Sequence, residues 1–299
     1  MCGLMVVLLL SLFTSRPLQA EVKIEAVVNS ASFEPGLPAG GSLATVFVSG
    51  LSETQLKPGT YIAESAALLP FSLAGREITV NGARAPILAV IVPPAGQGFI
   101  QINFQVPLER NASLPNYVGF SAGVLAGAGV ALTPLPRLSP VGGFFADANG
   151  FAIARHAEDN SVVSVDNPAR PGETIHAYAN DFFPVWPPPP IGSAVPEQPQ
   201  FQRLPIGQSI IRDPGNLYLQ KYPTLNLKGQ SYTTTPALEI KFAGLAPGQI
   251  GVEQVTFVVP ANQQPGDWAL FFNLGSCPDG RGACLPFGQS SPYVKLPVR

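Results

Sequence analysis

With 299 residues, of which 46% are hydrophobic, 12% charged, 33 Pro and 30 Gly, the chain is long enough for two domains and poor in helix formers, which points to an all-β protein. A formal net charge of -2 and the lack of any run of Lys or Arg exclude the basic footprint that nucleic acid or an anionic membrane surface requires. With 18 Phe and 7 Tyr beside many Val, Leu and Ile, the chain can bury enough apolar surface to fold, which excludes wholesale disorder.

Residues 1–20, MCGLMVVLLLSLFTSRPLQA, have an apolar run from Leu4 to Phe13, then Pro17 and Leu18-Gln19-Ala20, and read as a secretory signal peptide cleaved after Ala20. No basic residue precedes the run, and Arg16 follows it. About ten apolar residues are too few to span a bilayer, so no transmembrane segment is expected in the mature chain. Strands are then predicted in GGSLATVFVSGL (Gly40 to Leu51), REITVNG (Arg76 to Gly82) and PILAVIVP (Pro86 to Pro93). In QINFQVP, Ile102, Phe104 and Val106 alternate with Gln101, Asn103 and Gln105 before Pro107 ends the strand. One face is apolar, and the three polar residues are expected on a solvated or edge-facing side.

Thr133 to Gly143, TPLPRLSPVGG, holds three prolines in seven residues and marks a boundary between residues 22–135 and 136–299. Beyond it, strands are predicted at ETIHAYA, ALEIKFAG (Ala237 to Gly244), EQVTFVVP and WALFFNLG (Trp268 to Gly275). A Pro-rich insertion about 184–232 interrupts this second unit, and its Pro184 to Pro223 portion is too rich in proline for central strands, so it is expected to be a surface loop. Cys2 leaves with the signal, and Cys277 and Cys284 bracket CPDGRGAC, for which a disulfide closing a short hairpin loop is expected in an oxidising compartment.

The chain repeats itself. EQVTFVVP places Val255, Phe257, Val259 and Pro260 where QINFQVP has Ile102, Phe104, Val106 and Pro107, 153 residues earlier. PGETIHAYANDF aligns with GGSLATVFVSGL at a spacing of 131, matching Gly172 to Gly41, Tyr178 to Phe47 and Phe182 to Leu51. Two echoes in one order imply an internal duplication, with about 22 extra residues between the echoed strands of the second copy. Short strands at regular spacing between Gly/Pro turns point to β-sandwiches, since each sheet must bury one face against another.

The phrases AVVNSASFEPGLPAGGSLATVFVSGL, ITVNGARAPIL, QINFQVP, DNPARPGETIHAYANDFFP and FAGLAPGQIGVEQVTFVVP strongly resemble a bacterial family of secreted proteins, numerous in soil Acidobacteria of the Solibacter type. Its members carry an uncharacterised C-terminal domain with immunoglobulin-like, IPT/TIG-like strands. The resemblance spans nearly all of the chain beyond the signal and implies two tandem immunoglobulin-like β-sandwich domains, exported, with no assigned catalytic activity. The chain departs from the family at Asp181-Phe182-Phe183-Pro184, where a Gly-Leu-Gly-Pro turn is usual, at Pro93 to Ile100, and over Ile206 to Tyr232, which has no counterpart. Such departures are where a function specific to this protein would be grafted.

Motifs for chemistry are few. The two histidines, His156 and His176, accompany no G-x-S-x-G elbow, and there is no H-E-x-x-H, no paired C-x-x-C, no phosphate-binding loop and no dinucleotide fingerprint, so no cofactor and no metal are expected. Asp147, Asn149, Asp159, Asn160 and Asp166 offer oxygens that would suit Ca²⁺, yet Asp, Asn and Gly are equally the residues of ordinary turns. In NDFFPVWPPPP, Phe183 and Trp186 beside four prolines form a possible ligand-contact platform for sugars or a protein, while Phe182 takes the core position of Leu51. Two functions follow from the sequence. One is a non-enzymatic secreted or cell-surface binding, adhesion or spacer protein, with an unknown protein or glycan partner at the envelope. The other is a carbohydrate-binding or carbohydrate-active protein with its site in the insertion, where Glu197 and Asp213 are the acids available.

Overall fold

The computed structural model describes residues 22–50, 56–65, 67–94, 97–108, 117–122, 142–182, 188–196, 216–221, 238–274 and 289–299. They are all-β, and the β-strands pack as a sandwich-like set of sheets. The first unit contains β1 (Lys23–Asn29), β2 (Leu43–Ser49), β3 (Gly59–Ile62), β4 (Glu77–Val80), β5 (Ala83–Ala85), β6 (Ile87–Val92), β7 (Ile100–Gln105) and β8 (Val118–Ser121). One sheet has the order β1-β2-β7-β6-β3 and the other β5-β4-β8, every pairing antiparallel. The alternation seen in the sequence puts Val27, Val46, Ile87, Ile102 and Phe104 of the first sheet against Ile78, Val80, Val118 and Phe120 of the second. Asn81 and Gly82, both with positive φ (50° and 85°), form the two-residue turn that joins β4 to β5.

The second unit contains β9 (Gly143–Phe144), β10 (Ala154–His156), β11 (Thr174–Asn180), β12 (Asn216–Lys221), β13 (Ile240–Leu245), β14 (Glu253–Val258), β15 (Gly266–Leu274), β16 (Gln289–Ser290) and β17 (Val294–Val298). Its sheets are β10-β11-β14-β13, with β9 on β11, and β12-β15-β16, with β17 also on β15. Ile175, Val255, Phe257, Leu270, Phe272 and Leu296 share a second buried cluster, separate from the first. The sequence predicts a surface loop throughout Pro184 to Pro223, but Asn216–Lys221 is a strand paired along its length with β15. Among the described strands it lies at the sheet edge, and its six residues, NLYLQK, include no proline.

The two echoes have the same geometry. Phe47 pairs with Gln101 as Tyr178 pairs with Gln254, and Thr45 pairs with Asn103 as His176 pairs with Thr256. The Gly41 amide donates to Val106 O (2.8 Å) and the Gly172 amide to Val259 O (2.9 Å), both glycines at positive φ. A β-bulge falls between Ile87 and Ala89 on β6 and between Ile240 and Phe242 on β13, 153 residues apart as the echoes are. The loop after β1 and the loop after β10 also match: Phe33 N donates to Asn29 O as Asn160 N donates to His156 O, with φ of 56° and 59° at the donors. Asn29 thus stands in the first unit where His156 stands in the second.

Candidate functional site

The densest buried polar arrangement among the described residues lies where the units meet. β11 ends at Asn180, which is fully buried, and the chain turns there through Asp181 at φ 64°, a conformation that Asp tolerates better than most residues. The Asn180 side-chain amide behaves as an extra peptide group: Oδ1 accepts from Leu43 N (2.9 Å), and Nδ2 donates to Leu43 O (2.8 Å) and to Asn29 Oδ1 (2.9 Å). Asn29 Oδ1 also accepts from the amides of Ala31 and Ser32, so one buried oxygen organises the loop and receives the other unit. Asp181 Oδ1 accepts from Ala39 N (3.0 Å) and, at longer range, from Ser42 Oγ. On the other side of the turn, the buried Glu253 carboxylate accepts from Phe182 N (2.9 Å), and the Phe182 ring packs on Phe272 and Phe144 with centroids 4.6 Å and 5.2 Å away. The core role expected for Phe182 is the one it has.

Gln105 corrects an expectation. Its place in the alternation with Gln101 and Asn103 predicts a solvated or edge-facing side chain, yet it is 2% exposed. Nε2 donates to Gly41 O (2.8 Å) and Oε1 accepts from Gly192 N (2.7 Å). The period of two is correct for the isolated sheet, but the second unit's chain covers this end of β7. That covering segment, residues 188–196, straps both units together: Leu69 N donates to Gly192 O, Ala194 N to Ala67 O, Val195 N to Gln249 O and Gly248 N to Val195 O. Close approach demands glycine at the seam. A Cβ on Gly251 (φ 66°) would lie 2.9 Å from Gly41 O, and one on Gly143 would lie 2.7 Å from Ser32 Cβ.

At the opposite end of β11, an open groove of about 590 Å³ is lined by Ala157, Glu158, Arg170, Pro171, Gly172, Glu173 and Thr174. Beneath it His156, 3% exposed, contacts Glu173 Oε1 through Nδ1 and faces Asn167 O through Nε2 at 3.2 Å. Glu173 Oε2 accepts from Arg170 N (2.7 Å). On the outer face of the β11–β14 pair, His176 Nδ1 accepts from Thr256 Oγ1 (2.8 Å) and Gln254 Nε2 (3.2 Å), which puts the ring proton on Nε2. Burial lowers the His176 pKa from the usual histidine range, consistent with a nitrogen that serves as acceptor. In the first unit, burial also lowers the pKa of Arg76, whose Nη1 faces the carbonyls of Gly75 and Ala122.

The oxygen-rich stretch after the boundary makes turns. Asp147 Oδ1 accepts from the amides of Asn149 and Phe151, and hydrogen bonds from the Ser161 hydroxyl and amide hold the Asp159 carboxyl below its usual range. No group of three or more His, Cys, Asp or Glu able to hold a metal occurs among the described residues. Phe183, Trp186, Cys277, Cys284, Glu197, Asp213, residues 1–20, for which a signal peptide is expected, and Thr133 to Val141 of the expected boundary lie outside the described residues. No helix among the described residues is long and apolar enough to cross a membrane.

Sequence reasoning did not single out Asn29, Asn180 or Glu173, and it expected Gln105 on a solvated or edge-facing side. A signal for two of them was present in the aligned echoes, where Ser49 faces Asn180 and Ser42 faces Glu173: a small hydroxyl in one copy and a large polar group in the other. Comparison of the chain with protein-family models, curated proteins and solved structures finds no match.

Proposed function

We propose that the protein is an exported, non-enzymatic structural spacer or binding module, built by duplication of one immunoglobulin-like, IPT/TIG-like sandwich, with a protein or glycan partner at or beyond the cell envelope. The observation that carries this reading is the buried seam. Asn180 and Asp181 bond across the seam to Leu43, Asn29 and Ala39, and Gln105 accepts across it from Gly192 N while its own nitrogen anchors on Gly41 O. The desolvated side-chain amides of Asn180 and Gln105, each bonded through both oxygen and nitrogen, fix an orientation that a flexible linker would leave free, and a fixed orientation is what a spacer needs. Duplication is supported by the shared strand register, the shared bulge and the matched positive-φ glycines.

Small-angle scattering tests the spacer reading. The wild-type chain should give one fixed maximum dimension across ionic strengths, and the Asn180→Ala, Gln105→Ala double variant should give a broadened distribution at unchanged mass; a wild-type chain already broad would overturn it. A panel of polysaccharide, ester and peptide substrates tests the non-enzymatic reading, with Glu197→Gln and Asp213→Asn as controls. Turnover abolished by either change would make the protein carbohydrate-active or otherwise hydrolytic instead. Intact mass of secreted material, with and without reductant, should begin after Ala20 and report a Cys277–Cys284 disulfide.

A further inference from the structure

The seam uses one end of each unit, and the two outer ends can be compared with it residue by residue. On the inner side, the first unit offers a socket made by Asn29, Ala39 N, Ser42 and both backbone groups of Leu43, and the second unit fills it with the corner Asn180–Asp181. The second unit has the same socket backbone at its outer end. Ala157 N donates to Thr174 O as Ser30 N does to Leu43 O, and Glu173 N donates to Arg170 O as Ser42 N does to Ala39 O. His156, Arg170, Glu173 and Thr174 therefore occupy the places of Asn29, Ala39, Ser42 and Leu43, and these are the residues in and under the groove.

What differs is the occupant. In the inner socket the Ala39 amide is satisfied by the neighbour's Asp181 carboxylate at 3.0 Å, whereas in the outer one the matching Arg170 amide is satisfied by the unit's own Glu173 at 2.7 Å. Glu173 is held in that position by His156, which replaces the Asn29 that receives Asn180. The outer end of the first unit has the complementary change. Ser49 and Gly50 stand where the second unit has Asn180 and Asp181, while Gly98 (φ 69°), with open space around its Cβ position, stands where Gly251 packs into the seam.

We infer that the groove over Ala157 to Thr174 is a second socket for an Asn–Asp corner of a unit of this kind, and that Glu173, positioned by His156, fills it from within and so ends the array at two units. The inference rests on reading the two units as copies of one module. Terminal units of repeat proteins need an outer face that does not recruit the next repeat, and a heterologous socket left open opposite a free corner would let copies add without closure.

Two altered chains test it by mixing. One carries Ser49→Asn with Gly50→Asp, which gives the first unit's outer end a corner; the other carries His156→Asn with Glu173→Ser, which gives the groove the side chains of the inner socket. Analytical ultracentrifugation should detect a complex of twice the mass for this pair and none for the corner-bearing chain mixed with wild type. A complex with the wild-type groove, or none with the opened groove, overturns the proposal. Thermal melts establish that each chain folds, and if the His156→Asn, Glu173→Ser chain does not, Glu173→Ala alone replaces it with the same outcomes expected. Hydrogen exchange at the Arg170 amide separates the two ideas: in the opened chain it should quicken roughly tenfold and slow again when the corner-bearing chain is added. Quickened exchange without a complex removes the closure and leaves the module reading in place. Unchanged exchange means that the two faces are not equivalent, and both fall.

Discussion

The inner socket around Leu43 and the outer groove around Thr174 have one backbone and two fates. Both begin the second strand of their sheet after a positive-φ glycine, and both present a loop amide in need of an acceptor. In the first, the acceptor comes from 142 residues away in the chain and brings another unit with it; in the second, it comes from three residues away. The difference teaches that an interface here is decided by who satisfies a few backbone groups, because a buried amide left unpaired costs about 1–3 kcal/mol while a satisfied one leaves little to gain.

The comparison breaks most visibly at glycine. Gly251→Val forces a β-branched residue to φ 66° and drives it into Gly41 O and Leu43, so a loss of about 3–5 kcal/mol is expected in chemical denaturation. Gly172→Val at the outer face meets strain alone, with no atom within 4 Å of the Cβ position, and should lose about 1–2 kcal/mol. Equal losses would mean that the seam is not tightly packed.

Polar truncation should follow at a smaller scale. Asn180→Ala strands Leu43 N and removes a donor from Asn29 Oδ1, for about 2–3 kcal/mol, and should split the unfolding transition in two as the units uncouple. Ser49→Ala, at the matching outer position, should stay within about 0.5 kcal/mol. Likewise Gln105→Ala should cost about 1–2 kcal/mol and the half-buried Gln101→Ala less, and the reverse order would contradict the burial of Gln105.

The smallest effect is one of pH and sharpens the comparison within the sheets. His176 has a depressed pKa in the fold, so the folded state binds fewer protons than the unfolded one. Its stabilising contribution is complete above the unfolded value of about 6.5 and is lost as pH falls below it. Protonation also removes Nδ1 as the acceptor for Thr256 and Gln254. A stability curve should therefore fall from pH 7 to 5 and flatten in His176→Gln, whereas Thr45→Val, at the equivalent place in the first unit, should leave that slope unchanged. A slope that survives His176→Gln would assign it elsewhere.

Much of this architecture is legible in the residues. Ile102, Phe104 and Val106 alternate because one face is buried, Pro107 stops the ladder, and the same words at Val255 to Pro260 make the same strand in the same register. The seam is not legible, for a physical reason: alternation reports which face of a sheet is wet, not what lies beyond the end of a strand. Gln105 has the pattern of Gln101 and Asn103 but sits where another unit's chain crosses, and nothing local announces the crossing. The edge strand Asn216–Lys221 is likewise hidden by its proline-rich surroundings, since an edge tolerates neighbours that a central strand does not. Phe182, by contrast, is readable because its partner position in the first echo is Leu51.

The head-to-tail seam also fixes how tension would travel. Lys23 pairs with Ser49 at the outer end of the first unit, whereas Asn29, six residues on, lies against Asn180, so β1 runs toward the seam. Arg299 N bonds to Ala169 O beside the outer groove, and β17 runs away from the seam along β15. A pull applied between Lys23 and Arg299 therefore acts along β1 and β17 rather than across them. Antiparallel hydrogen bonds lie perpendicular to their strands, so such a pull loads a whole ladder at once in shear instead of opening it bond by bond.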